Sequence, residues 1–188
     1  MNKDKSSRII RFLAIIAVLG ISSSAYAQRV NHTVDLRLDE AQTMLEAETR
    51  GSCSRNNHPG CIAVARGTQG RLNFNLTGNK VCQMQSGASW EVGEVYLGGK
   101  NSESKPGSWG GFGNDAEVQA DFNFSDPATG ELVAEAGSNE NSFVILDENL
   151  SEGGYDIWYT VTAHCVDGGG NILATVELDP RIENGGTQ

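Results

Sequence analysis

The sequence predicts an all-β protein, an antiparallel β-sandwich of immunoglobulin-like type with seven to nine strands. Three observations predict it. Apolar residues alternate with polar ones over short runs, turn-forming residues recur at intervals of about 8–15 residues, and little of the chain has helical periodicity. The clearest run is Tyr155–Pro180. Tyr155, Ile157, Tyr159, Val161, Ala163 and Cys165 fall on one face of its first arm, and Asp156, Trp158, Thr160, Thr162 and His164 on the other. After Asp167-Gly168-Gly169-Gly170-Asn171, the second arm sets Ile172, Ala174, Val176 and Leu178 against Thr175 and Glu177. Strict alternation around a glycine-rich connector predicts a β-hairpin with one buried face.

The first 27 residues read as an export signal and not as part of the fold. Lys3, Lys5, Arg8 and Arg11 precede the apolar run Phe12–Ile21, and Ala25-Tyr26-Ala27 forms a small-x-small cleavage site before Gln28. A membrane span needs roughly 20 apolar residues, about twice this run. The expected mature chain is residues 28–188, one domain with an adequate core, located in a bacterial periplasm or secreted. Cleavage removes four basic residues and Asp4, which takes the formal net charge from −10 to about −13. So acidic a surface repels phosphate backbones and anionic headgroups, so neither nucleic acid nor membrane insertion after cleavage is expected. An unknown protein or a glycan is the expected partner.

All four cysteines lie beyond the signal, and an even count in an oxidising compartment reads as two disulfides with three possible pairings, of which Cys53–Cys61 with Cys82–Cys165 is favoured. Cys53–Cys61 would close a turn-like loop around Asn56-Asn57-His58-Pro59-Gly60. Cys82–Cys165 would tie the hairpin to a distant segment. By loop entropy the long link stabilises by about 4.5 kcal/mol and the short one by about 2.6 kcal/mol. The cysteine spacings are not those of a zinc site.

The remaining elements follow in order. His32–Leu38 alternates Val34, Leu36 and Leu38 inward, a first strand. Asp39–Thr49 predicts one short helix capped by Asp39 and burying Ala41, Met44 and Leu45, with an extended continuation as the alternative. Ile62 and Val64 followed by Leu72, Phe74 and Leu76 across Gly67–Gly70 predict a second hairpin. Trp90–Leu97 predicts a strand whose one face mixes Trp90 and Val92 with Glu94 and Tyr96. Gly98–Gly113 predicts a long loop carrying Trp109 and Phe112. Glu117–Phe124 predicts a strand with Val118, Ala120, Phe122 and Phe124 inward, then a turn at Asp126–Gly130 and a returning arm at Glu131–Ala136. Ser142–Leu146 is a short strand, and Arg181–Gln188 a polar tail.

Enzyme motifs are absent: there is no G-x-S-x-G, H-E-x-x-H, P-loop or dinucleotide fingerprint, and His32, His58 and His164 are scattered. The expectation is therefore a non-enzymatic protein that binds or assembles. Trp109 and Phe112 in the loop and Trp158 on the outward face of the hairpin are the candidate ligand contacts, since an aromatic ring can present a flat face to a sugar or a peptide. The alternative is a calcium-stabilised carbohydrate- or matrix-binding module. Its ligands would be Asp121, Asn123 and Asp126, supported by the oxygen-rich run Asp147-Glu148-Asn149, although the first run lacks the glycine of an EF-hand loop. No other cofactor is expected, and a periplasmic hydrolase is the most distant reading.

The segment Ser142–Gly186 resembles a group of small exported bacterial proteins of unknown function. The shared elements are a short strand followed by D-x-N (Ile145-Leu146-Asp147-Glu148-Asn149), then Y-x-V-x-A (Tyr159-Thr160-Val161-Thr162-Ala163), then DP-x-I-x-N (Asp179-Pro180-Arg181-Ile182-Glu183-Asn184). The resemblance covers about a quarter of the chain. It implies a small β-sandwich and carries no activity or catalytic residue.

Overall fold

The structure, a computed structural model, describes residues 28–48, 51–54, 58–100 and 116–185. Trp109, Phe112 and the signal segment lie outside the described residues. Within them the chain is all-β, with eleven strands and one short helix. The strands are β1 (Gln28–Leu38), β2 (Leu45–Ala47), β3 (Ile62–Val64), β4 (Thr68–Leu76), β5 (Ser89–Lys100), β6 (Phe124–Asp126), β7 (Glu131–Leu132), β8 (Ser142–Asp147), β9 (Tyr155–Val166), β10 (Ile172–Leu178) and β11 (Arg181–Asn184); helix α1 is Ala116–Asp121. They form a four-stranded sheet, β2-β1-β4-β8, and a seven-stranded sheet, β3-β11-β9-β5-β7-β6, with β10 also paired to β9.

The inner faces of the two sheets share one core. Val34, Leu36, Leu72, Phe74 and Ile145 contribute from the small sheet, and Trp90, Val95, Leu97, Ile157, Tyr159 and Val161 from the large one. Phe74 meets Tyr159 across the interface with ring centroids 5.2 Å apart and planes tilted by 48°, a favourable aromatic geometry. The hairpin β9–β10 forms, and all six inward residues of β9, Tyr155 to Cys165, are buried. In β10 the expected inward face is covered only in part, since Val176 is buried but Ile172 is exposed where the register shifts before Ala174. Both disulfides are present, Cys53–Cys61 with Cα atoms 5.7 Å apart and Cys82–Cys165 with 5.8 Å. Cys165 sits opposite Trp90, so the long link fastens the centre of the large sheet to the segment before β5. Two disulfides fit an oxidising compartment, and no described helix is long and apolar enough to cross a membrane.

The sheets are mixed, not purely antiparallel, because β1 pairs with β4 and β3 with β11 in parallel. This corrects the predicted β3–β4 hairpin. Ile62 and Val64 of β3 and Leu72, Phe74 and Leu76 of β4 do point into one core, but from opposite sheets. Gly70 marks the crossing, since a Cβ there would lie 2.8 Å from a methyl of Val64.

Three further elements differ from expectation. Asp39 does cap, accepting hydrogen bonds from the backbone N–H of Thr43 and Met44 at 2.6 and 2.8 Å, but it closes a tight turn and not a helix. These bonds hold its carboxyl below the ordinary range. The chain then returns as β2, with Leu38 opposite Leu45. In place of a strand at Glu117–Phe124, α1 buries Val118 and Asp121 on one face, followed by Phe122. Positions 118, 121 and 122 are also helical neighbours, and this spacing prevails. The polar tail is β11, whose Ile182 is fully buried opposite Ile157 and Ile62. The mixed face of β5 has a simple cause: the register shifts between Val92 and Val95. This bulge turns Trp90, Val95 and Leu97 inward and leaves Glu94 and Tyr96 outside.

Candidate functional site

Trp158 stands on the outer face of β9, directly opposite Arg181 of β11. Side chains opposite one another on antiparallel strands share a face. The guanidinium accordingly lies over the indole, 5.1 Å from its centroid, and its Nη2 donates to Asp156 Oδ2 at 2.9 Å. Such a stack contributes about 0.5–2 kcal/mol, depending on its desolvation. The buried Arg181 Nε has no acceptor among the described residues.

This pair forms one wall of a cleft of about 510 Å³, within the usual size range of small-ligand sites. Leu178, Asp179 and Pro180 at the β10–β11 corner, Leu45–Ala47 of β2, and His58, Pro59 and Cys61 also line it. The lining is mainly apolar with charged groups interspersed. Of the three aromatic candidates, Trp158 is therefore placed in a concave site. Arg181, its partner there, lies in the segment that the sequence presents as a polar tail; the alternation Arg181-Ile182-Glu183-Asn184 is the available signal.

The three calcium candidates stand in different surroundings. Asp121 is fully buried, Asn123 is exposed, and Asp126 Oδ1 accepts the N–H of Ala128 at 2.9 Å within the turn before β7. Among the described residues no group of three or more His, Cys, Asp or Glu side chains is arranged to hold a metal ion.

Asp121 instead belongs to a buried polar network that joins the three ends of β8, β9 and β11. Its Oδ1 accepts from the backbone N–H of Leu150 and of Ser151, the latter at 2.9 Å. Its Oδ2 accepts from the Tyr155 hydroxyl at 2.7 Å and from Asn184 Nδ2 at 3.1 Å. Asn184 Nδ2 donates also to Asp147 Oδ1 at 3.1 Å, which receives the Asn149 N–H at 2.9 Å. Asn149 takes a positive φ of 50° and donates its amide to the carbonyls of Ala65 and Thr68, both at 2.9 Å. Thus Asp147 and Asn149 of the D-x-N element and Asn184 of DP-x-I-x-N meet in space. Burial pushes the Asp147 carboxyl well above the usual carboxylate range, and the neighbouring Asp121 charge adds to the effect. Burial and the same carboxylates keep the Tyr155 hydroxyl protonated.

A histidine–carboxylate contact lies on the outer face of the large sheet. His164 Nε2 is 2.7 Å from Glu94 Oε2, and its Nδ1 is 2.9 Å from the Thr175 hydroxyl. Partial burial alone would raise the Glu94 pKa, but hydrogen bonds from His164 and Thr162 outweigh it and hold the carboxyl below its ordinary value. The chain hydroxyl–imidazole–carboxylate has the composition of a hydrolytic triad. Thr175 and His164 are register partners, however, and none of the three groups lines the cleft. The arrangement is a cross-strand polar contact.

No protein-family model matches the chain, and no curated protein matches it.

Proposed function

We propose that this protein is an exported, non-enzymatic binding module, built on an immunoglobulin-like β-sandwich, that holds a protein or glycan ligand in the cleft beside Trp158. The observation that carries the reading is the cleft itself. It combines an aromatic ring, apolar walls from Leu45, Leu178 and Pro180, and polar groups at Glu46, His58, Asp179 and Arg181. Apolar surface with a few placed polar groups is the usual make-up of a ligand site. The two disulfides support an exported location, and the absence of enzyme motifs supports binding without turnover.

The test is a binding comparison of wild type with Trp158→Ala on a glycan array and in crosslinking to exported proteins of the producing cell. The variant should lose the ligand that wild type retains while melting as a folded protein. Retention of every wild-type ligand by Trp158→Ala would remove the cleft from the account.

A further inference from the structure

Asp121 and Asp147 are both completely shielded from solvent, yet every donor that reaches them from the described residues is neutral. The donors are the backbone amides of Asn149, Leu150 and Ser151, the Tyr155 hydroxyl and the Asn184 amide. Among the described residues no lysine, arginine or histidine bonds to either carboxyl. Two carboxylates that share one donor, Asn184 Nδ2, also lie within mutual repulsion distance. Buried like charges without a cation are avoided by binding a proton. The hydrogen bonding shows which group has room for it. All the donors to Asp121 divide evenly over its two oxygens, whereas Asp147 Oδ2 receives only the long 3.4 Å contact from Asn184.

We propose that the Asp121–Asp147 pair holds a single proton at neutral pH and serves as a pH-sensitive latch, clamping β11 and α1 to the end of β8 while protonated and loosening them when the proton leaves. The parts joined are distant in sequence. Asp121 ends α1, Asp147 ends β8, Tyr155 begins β9 and Asn184 ends β11. The Glu148 N–H also bonds the Asp121 carbonyl at 2.8 Å, so the two acid-bearing segments are tied through their backbones as well. Charged or titratable groups that act on Asp147 come from each packed element: Asp121 from α1, Glu148 from the loop after β8, and Tyr155 from β9. The two acids favour the protonated form of Asp147, and Tyr155 stays a neutral donor.

The sign follows from linkage. The folded-state affinity of Asp147 for its proton is raised, so its stabilisation of the closed state is complete below the unfolded carboxyl range, near pH 4. It is lost as pH rises toward the folded pKa. Across that interval the equilibrium constant for opening increases up to about tenfold per pH unit. The latch is therefore tightest in mildly acidic surroundings.

Hydrogen exchange of the full mature chain, corrected for the intrinsic pH dependence of exchange, tests this directly. Amide protection over Arg181–Asn184 should fall several-fold from pH 5.5 to 8.5 in wild type. In Asp147→Asn, whose carboxamide has the shape of the protonated acid, protection should stay level. A level wild-type profile, or an equal fall in the variant, overturns the proposal. Infrared spectroscopy supplies a readout that survives poor folding of the variant. The carbonyl stretch of a buried protonated carboxyl should be visible in wild type at pH 7 and shift with carbon-13-labelled aspartate. Its absence from wild type overturns the proposal as well.

Discussion

Asn184→Ala is the substitution whose cost can be worked most closely from the structure. Asn184 is 3% exposed, and the two carboxyls that accept its amide are 0% exposed. Truncation removes one donor from Asp121 and one from Asp147, and water reaches neither. A buried group left short of a partner costs about 1–3 kcal/mol, more when it carries charge. Two such groups place the loss at about 3–5 kcal/mol. For a domain of this size each kcal/mol lowers Tm by roughly 2–4 °C, so a loss of 3 kcal/mol lowers it by roughly 6–12 °C. The assay is thermal unfolding by circular dichroism at pH 5.5, with Asn123→Ala as the comparison because Asn123 is exposed. That control should stay within about 0.5 kcal/mol of wild type. Equal melting of the two variants would refute the reasoning, since the network would then not be the enclosed structure described.

The other perturbations act on different parts of the fold. Replacing Cys82 and Cys165 by Ala should cost about 4.5 kcal/mol from loop entropy and more from the cavity beside Trp90, against about 2.6 kcal/mol for the Cys53/Cys61 pair; urea unfolding of the two double variants checks the order, which must not reverse. Gly93→Ala should destabilise by about 1–3 kcal/mol, because a Cβ there would stand 2.3 Å from both His164 Nε2 and Thr162 Oγ1. It should also separate Glu94 from His164, which a changed nitrogen-15 chemical shift of the imidazole at fixed pH will report.

How much of this molecule is legible in its sequence depends on what each residue had to reveal. Alternation in Val34-x-Leu36, Leu72-x-Phe74-x-Leu76 and Tyr155 to Cys165 identifies the strands that cover the core, because inward positions of these strands are apolar. Alternation says which face is buried and not which strand lies alongside. Hence the pattern of Ile62–Val64 and Leu72–Leu76 predicts a pair, whereas β3 joins β11 and β4 lies between β1 and β8. At Glu117–Asp121 the pattern is degenerate, and the deciding residue is a buried aspartate, which any hydropathy reading assigns to solvent. The same blindness hid the network: Asp121, Asp147, Asn149 and Asn184 look like surface residues until their donors are seen. Asn184 carried one available signal, its place on the inward phase of Ile182. The cleft was half legible. Trp158 stood out as an aromatic on a polar face, whereas Arg181, His58 and Leu45 reach it only through the topology of β11 and the β1–β2 turn.

The account rests most heavily on the cleft beside Trp158 as the place where a ligand is held. The direct measurement is the indole and guanidinium N–H region of the NMR spectrum of the nitrogen-15-labelled protein. It is recorded during titration with cello-, chito- and xylo-hexaose and with peptides from the exported proteins of the producing cell. The account predicts that one of these ligands shifts Trp158 Nε1 and Arg181 Nε together, and that Trp158→Ala abolishes its binding while the fold persists. A ligand that binds with both signals unmoved, its shifts gathered elsewhere on the surface, would contradict it.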